Sequence, residues 1–160
     1  EHDCEELAVS LYPAGGFSSI TLAYQAAELI NYHSAGRPAV IFYIGDYDPA
    51  GVLIDVALEQ ELRQHLNPEI HLDFRRVAIT EHQIQVFDLP EKPRKQTDRR
   101  ALHVRTTVEA EAMPAHILRA ILREEIEALL PEQALAVAHV EGQSAREYFE
   151  QLASLQGRLP

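Results

Sequence analysis

The stretch Tyr43-Ile44-Gly45-Asp46-Tyr47-Asp48-Pro49-Ala50-Gly51 sets two carboxylates, two residues apart, directly after an apolar, β-branched run. That run, Ala39-Val40-Ile41-Phe42-Tyr43-Ile44, reads as a buried parallel strand, and residues 52–66 read as the helix that follows it. Asp46 and Asp48 then fall at the carboxyl end of a central strand, where open α/β sheets place their ligands. Paired carboxylates resist burial without a counter-charge, and their oxygens suit Mg²⁺ or Mn²⁺. Gly45, Pro49 and Gly51 imply a sharp turn that aims both side chains and the helix N-terminus at one point.

Working outward, residues 7–11 read as an opening strand, and Pro13-Ala14-Gly15-Gly16 as a turn whose glycines tolerate positive φ. Ser18 or Ser19 caps a helix to His33, with Leu22, Ala26, Leu29 and Ile30 at helical spacing. Ala35-Gly36-Arg37-Pro38 ends it. Beyond the Gly51 helix, Asn67-Pro68 is a stop signal, and residues 70–79 read as a strand whose early half is a partly exposed edge. Thr80 with Gln83 forms a capping box for a short helix. Residues 102–108 read as another strand, and Pro114 opens a helix over 115–130 with Ile117, Leu118, Ile121, Leu122, Ile126 and Leu129 on its apolar stripe. A last helix is expected over 144–155. The pattern predicts one α/β domain over residues 1–160, with 131–160 as a helical C-terminal extension.

A chain of 160 residues with 46% apolar content can bury a real core. No run is apolar enough to span a membrane, and no signal peptide opens the chain. The lone Cys4 excludes a disulfide framework and a thiolate zinc cluster, so a free thiol in a reducing cytoplasm is expected. The start at Glu1, without a methionine, reads as a domain cut from a longer parent protein. The net charge of −11 opposes nonspecific nucleic-acid binding over the whole surface. Charge is uneven, however: residues 91–100 hold five basic groups against two acidic ones. Such a loop either grips a phosphate backbone locally or is a solvated connection.

The string Ile44-Gly45-Asp46-Tyr47-Asp48-Pro49-Ala50-Gly51 resembles the Toprim domain. Its closest flavour is that of type IIB topoisomerase DNA-cleaving subunits, their meiotic recombination relatives, and related bacterial and mobile-element proteins. The likeness extends to Gly16-Phe17-Ser18-Ser19, to Val77-Ala78-Ile79-Thr80, to Leu89-Pro90 with Lys92, Pro93, Lys95, Asp98 and Arg100, and to Val108-Glu109-Ala110-Glu111-Ala112-Met113-Pro114. It covers about residues 7–130. The resemblance implies a Toprim-like Rossmannoid fold, a central and mostly parallel sheet flanked by helices. It also implies Mg²⁺ or Mn²⁺ held by Asp46 and Asp48 near a DNA phosphate, in a DNA-transaction protein with further domains. The superfamily glutamate after the first strand has no counterpart here, because the chain reads Leu11-Tyr12-Pro13-Ala14-Gly15-Gly16.

Glu109 or Glu111 is the candidate replacement, and an extended backbone would put both on one face. The expected metal ligands are therefore Asp46, Asp48, Glu109 and Glu111, with Asp46, Asp48 and Glu111 as the catalytic candidates. Lys92, Arg94, Lys95, Arg99 and Arg100 would neutralise the nucleic-acid backbone without reading its sequence. Gly15 and Gly16 form a candidate anion-cradling turn, and Asp55 reads as a surface residue. Tyr12, Tyr43 and Tyr47 lie near the turn but are poor candidates for a nucleophile, so water is preferred. The histidines lack zinc spacing. Two alternatives stay open: a non-catalytic assembly or docking module with a degenerate site, and a small-nucleotide phosphoesterase.

Overall fold

The computed structural model describes residues 4, 7, 9–13, 19–94, 97–131, 133, 137, 140, 144 and 146–148. The chain divides into two compact units, residues 1–122 and 123–160. In the first unit the elements run α1 (Ser19–His33), β1 (Ala39–Ile44), α2 (Gly51–His65), β2 (Leu72–Ala78), α3 (Glu81–Val86), β3 (Lys92–Pro93) and β4 (Thr106–Thr107). A 3-10 turn (Ala110–Ala112) follows, then α4 (Ala115–Glu127), along which the boundary between the units falls. In the second unit, Arg123 and Glu127 form an i, i+4 ion pair at 3.4 Å. The expected last helix lies largely outside the described residues.

This is a small α/β domain with two short sheets, one parallel and one antiparallel. β1 pairs parallel to β2 from Ala39↔Leu72 to Tyr43↔Arg76, then slips by one residue to Ile44↔Ala78. Alternation turns Ala39, Ile41 and Tyr43 of β1, with Leu72 and Phe74 of β2, toward α1 and α2. There Ala23, Ala27, Leu58 and Leu62 complete a core; the two alanines let α1 approach closely, and both are fully buried. Asn31 ties the helices together, its Nδ2 donating to the His65 carbonyl at 3.0 Å and its Oδ1 accepting from the Asn67 N–H at 2.8 Å.

A second core lies past the carboxyl end of the sheet. Ala78, Ile79, Ile84, Leu89, Val108 and Met113 form it, joined by Ile44, Tyr47, Ile117, Leu118 and Ile121. The capping box is complete: Thr80 Oγ1 accepts from the Gln83 N–H, and Gln83 Oε1 accepts from the Thr80 N–H at 3.0 Å.

Three sequence expectations change. Residues 7–11 form no strand among those described: Leu7 is in a turn, and the Val9 N–H donates to the Cys4 carbonyl at 2.8 Å. Among the described residues β1 has β2 as its one ladder partner, and it is half-buried along its length. The strand expected over 102–108 shrinks to Thr106–Thr107, because a turn closes from the Val104 N–H to the Ala101 carbonyl. Glu109 is extended but Glu111 sits inside the 3-10 turn, so they do not share a face through strand alternation.

Candidate functional site: the acidic turn after β1

Residues 45–51 leave β1, cross the end of β2 and enter α2. Three sets of bonds hold this turn. Gly45 continues the ladder, its N–H donating to the Ala78 carbonyl at 2.8 Å and its carbonyl accepting from the Ile79 N–H at 2.9 Å. Tyr47 makes a two-bond antiparallel bridge with Val108, at 2.8 and 2.9 Å. The carboxylates themselves close the rest. Asp46 Oδ1 accepts from the Ala110 N–H at 2.7 Å, while Asp48 Oδ1 accepts from the Ala50 N–H at 2.9 Å and from the Gly51 N–H. Asp48 thus serves backbone donors that a helix start leaves unpaired.

Gly51 is required by close approach: a Cβ there would run into the Asp46 carbonyl and lie 3.2 Å from Asp48 Oδ1. Gly45 is also crowded, by a side chain rather than by backbone: its Cβ would stand 2.5 Å from the Tyr43 hydroxyl.

Behind the turn stands Arg76, on the strand whose early half reads from its sequence as a partly exposed edge. Its Nη1 donates to the carbonyls of Gly45 (3.1 Å), Asp46 (3.3 Å) and Ile79 (2.9 Å). Its Nη2 donates to those of Asp46 (3.3 Å) and Gly51 (2.9 Å). The Nε donates to Asp55 Oδ2 at 2.6 Å, and the guanidinium lies over the Tyr43 ring at 5.2 Å from its centroid. The Arg76 and Asp55 side chains are 15% and 13% exposed, so Asp55 is the largely covered partner of a half-buried cation rather than a surface residue. Removing one member leaves the other charge uncompensated; solvent reaching this part-buried pair holds the cost below the ~3–5 kcal/mol of a fully buried one. A signal existed: two-residue alternation puts Arg76 on the same side of β2 as Leu72 and Phe74.

The basic loop is folded around one of its own cations. Arg94 donates from Nη1 to the carbonyls of Ala101 (3.4 Å) and Val104 (3.0 Å), and from Nη2 to those of Asp98 and Arg100 (3.1 Å). An arginine with four carbonyl partners organises the loop through both of its Nη atoms. Lys92 Nζ pairs with Glu109 Oε1 at 2.8 Å, and Arg100 with Asp98 at 2.8 Å. Hydrogen bonding from Arg100 pulls the Asp98 carboxyl down to about 2. The reciprocal bond holds the Arg100 guanidinium above its ordinary value, with a further push from the Asp48 carboxylate. Arg99 is exposed, while Lys95, Gly15 and Gly16 lie outside the described residues.

Glu109 and Glu111 line a groove of about 260 Å³ with Pro90, Lys92, Thr107 and Ala112. Among the described residues no three His, Cys, Asp or Glu side chains come together as a ready-made metal cluster. Burial first, and the nearby carboxylates after it, push the Tyr43 hydroxyl up despite the opposing pull of Arg76. Burial and then Glu81 do the same at Tyr47. Neither tyrosine is helped toward the phenolate that a nucleophile needs. Tyr12 is exposed. No described helix is long and apolar enough to cross a membrane. No family model matches the chain, and neither a curated protein nor a solved structure matches it.

Proposed function

We propose that this is a Toprim-like domain of a DNA-transaction protein, binding Mg²⁺ or Mn²⁺ at Asp46 and Asp48 and a phosphodiester beside them. The observation that carries the reading is the acidic turn itself: Asp46 and Asp48 stand together past the carboxyl end of β1, each tied through Oδ1 to backbone N–H groups. The donor set fits a hydrated ion. Among the described residues, each aspartate uses only Oδ1 in hydrogen bonding, leaving Oδ2 of both for a cation. Mg²⁺ characteristically keeps several waters and takes one or two carboxylates plus substrate phosphates, so a third protein carboxylate is not a precondition.

Lys92 already neutralises Glu109, which leaves Glu111 as the better candidate for an additional acidic role. In this reading Arg99 and Arg100 meet the phosphate backbone, and Lys92 and Arg94 shape the surface that presents them. A bound divalent cation would supply charge neutralisation at a phosphate oxygen. The finer fold expectation, a mostly parallel Rossmannoid sheet, belongs to the same proposal.

A specific observation favours a second reading, a non-catalytic assembly module: Lys92, Arg94 and Arg100 are all engaged within the chain, whose net charge is −11. Calorimetric titration with Mg²⁺ and Mn²⁺ separates the two. The expected result is binding that Asp46→Ala abolishes, together with Mn²⁺-dependent retention of an oligonucleotide over a mononucleotide. Equal heats for the native and Asp46→Ala chains would overturn the cation site and leave the assembly reading.

A further inference from the structure

We propose that Arg76, anchored by Asp55, is the positioning residue that sets the direction of the two turn carboxylates. The inference rests on the proposed cation site for its functional meaning but on geometry alone for its content.

Peptide planes carry the constraint. A trans peptide carries its oxygen and the next N–H on opposite sides, so fixing both fixes the plane. The Asp46–Tyr47 peptide is held in this way, its oxygen on Arg76 at 3.3 Å and its N–H on the Val108 carbonyl at 2.8 Å. The Gly51–Val52 peptide is held likewise, its oxygen on Arg76 at 2.9 Å and its N–H on the Asp48 carbonyl at 3.1 Å. The Ile79–Thr80 peptide follows the same rule, with its oxygen on Arg76 at 2.9 Å and its N–H on Gln83 Oε1 at 3.0 Å. One guanidinium therefore holds both peptides that flank Asp46 and, through the Gly51–Val52 peptide whose N–H donates to the Asp48 carbonyl, reaches the backbone of Asp48 at one remove.

Only a planar fork with several donors can reach carbonyls in this many directions, and lysine has neither the span nor the plane. The 2.6 Å bond from Nε to Asp55 stops the fork from rotating, and the Tyr43 ring supports its face. Both partners come from elements that border the turn, so the clamp joins β1, β2 and α2 at one point.

Amide hydrogen exchange on the native, Arg76→Lys and Asp55→Asn chains tests the assignment, with Mn²⁺ affinity measured alongside by electron paramagnetic resonance. The reporters are the Gly51 and Ala110 N–H groups, which donate to Asp48 and Asp46. The controls are Ala27 and Leu62 in the helical core. Arg76→Lys is expected to speed the reporters by about tenfold or more while the controls hold. Asp55→Asn should act in the same direction, more weakly, and decides the matter if the lysine variant does not fold.

Mn²⁺ binding should weaken by about 10–100-fold in Arg76→Lys, as when a group orienting a ligand is lost. Unchanged reporter exchange in a folded variant overturns the proposal. So does acceleration spread evenly over reporters and controls, which would assign Arg76 to stability alone. If the native chain binds no Mn²⁺, the cation reading falls, and the exchange comparison still decides the positioning role.

Discussion

Gly51→Ala tests how tightly the acidic turn is built. Alanine is the better helix former by about 1 kcal/mol, and Gly51 is the first residue of α2, so propensity alone predicts a stabler protein. Packing predicts the reverse. The added Cβ would run into the Asp46 carbonyl and lie 3.1 Å from its carbon, a contact with backbone that cannot swing aside. To relieve it, the turn must move off α2, which strains the Gly51 carbonyl bond to Arg76 at 2.9 Å and the Gly51 N–H bond to Asp48.

Overpacking of this kind costs about 1–3 kcal/mol, and hydrogen bonds to charged groups contribute about 1.5–3 kcal/mol each. With partial relaxation and the propensity gain set against these costs, a net loss of about 2–4 kcal/mol is expected. For a chain of this size that is a fall in Tm of about 5–15 °C. Urea unfolding followed by circular dichroism measures it, with Gly36→Ala as comparator. Gly36 has open space around its Cβ position but φ of +77°, so its substitution should cost only the left-handed strain, about 1–2 kcal/mol. A Gly51→Ala chain as stable as the native one, or stabler, refutes the close-approach account.

Asp48→Ala should lose about 0.5–2 kcal/mol in urea unfolding through its two backbone bonds, whereas Asp48→Asn should keep most of that stability yet lose Mg²⁺ binding, read by calorimetry. Asp98 is expected to titrate near 2 rather than near its ordinary 3.8 in a carbon-detected NMR pH series. Because its folded value is depressed, the stabilising contribution of its pairing with Arg100 is full above the ordinary value and is lost as pH falls through about 2. Arg100→Ala should return the midpoint toward 3.8, and an unmoved midpoint would rule out the pairing as its cause.

The local rules of the chain were legible without coordinates. Apolar spacing marked α1, α2 and α4, Thr80 and Gln83 announced their capping box, and an apolar run ending in a glycine- and proline-bearing acidic turn marked β1 and its exit. These features depend on neighbours within a few residues, which a sequence displays directly. The roles of the charged side chains were decided by tertiary structure. Whether Arg76 lies on an edge or grips four carbonyls depends on the register Tyr43↔Arg76 and on α2 bringing Asp55 to it. Whether Arg94 meets a phosphate or its own loop depends on how residues 98–104 close around it. The strand expected over 7–11 is not seen among the described residues, where Leu7 is in a turn and the Val9 N–H bonds locally to the Cys4 carbonyl; strand pairing is a long-range outcome that local pattern does not decide. Asp46 and Asp48 belong to both levels: their spacing is written in the chain, but the backbone of the turn that carries them is held by Arg76, 28 residues or more away.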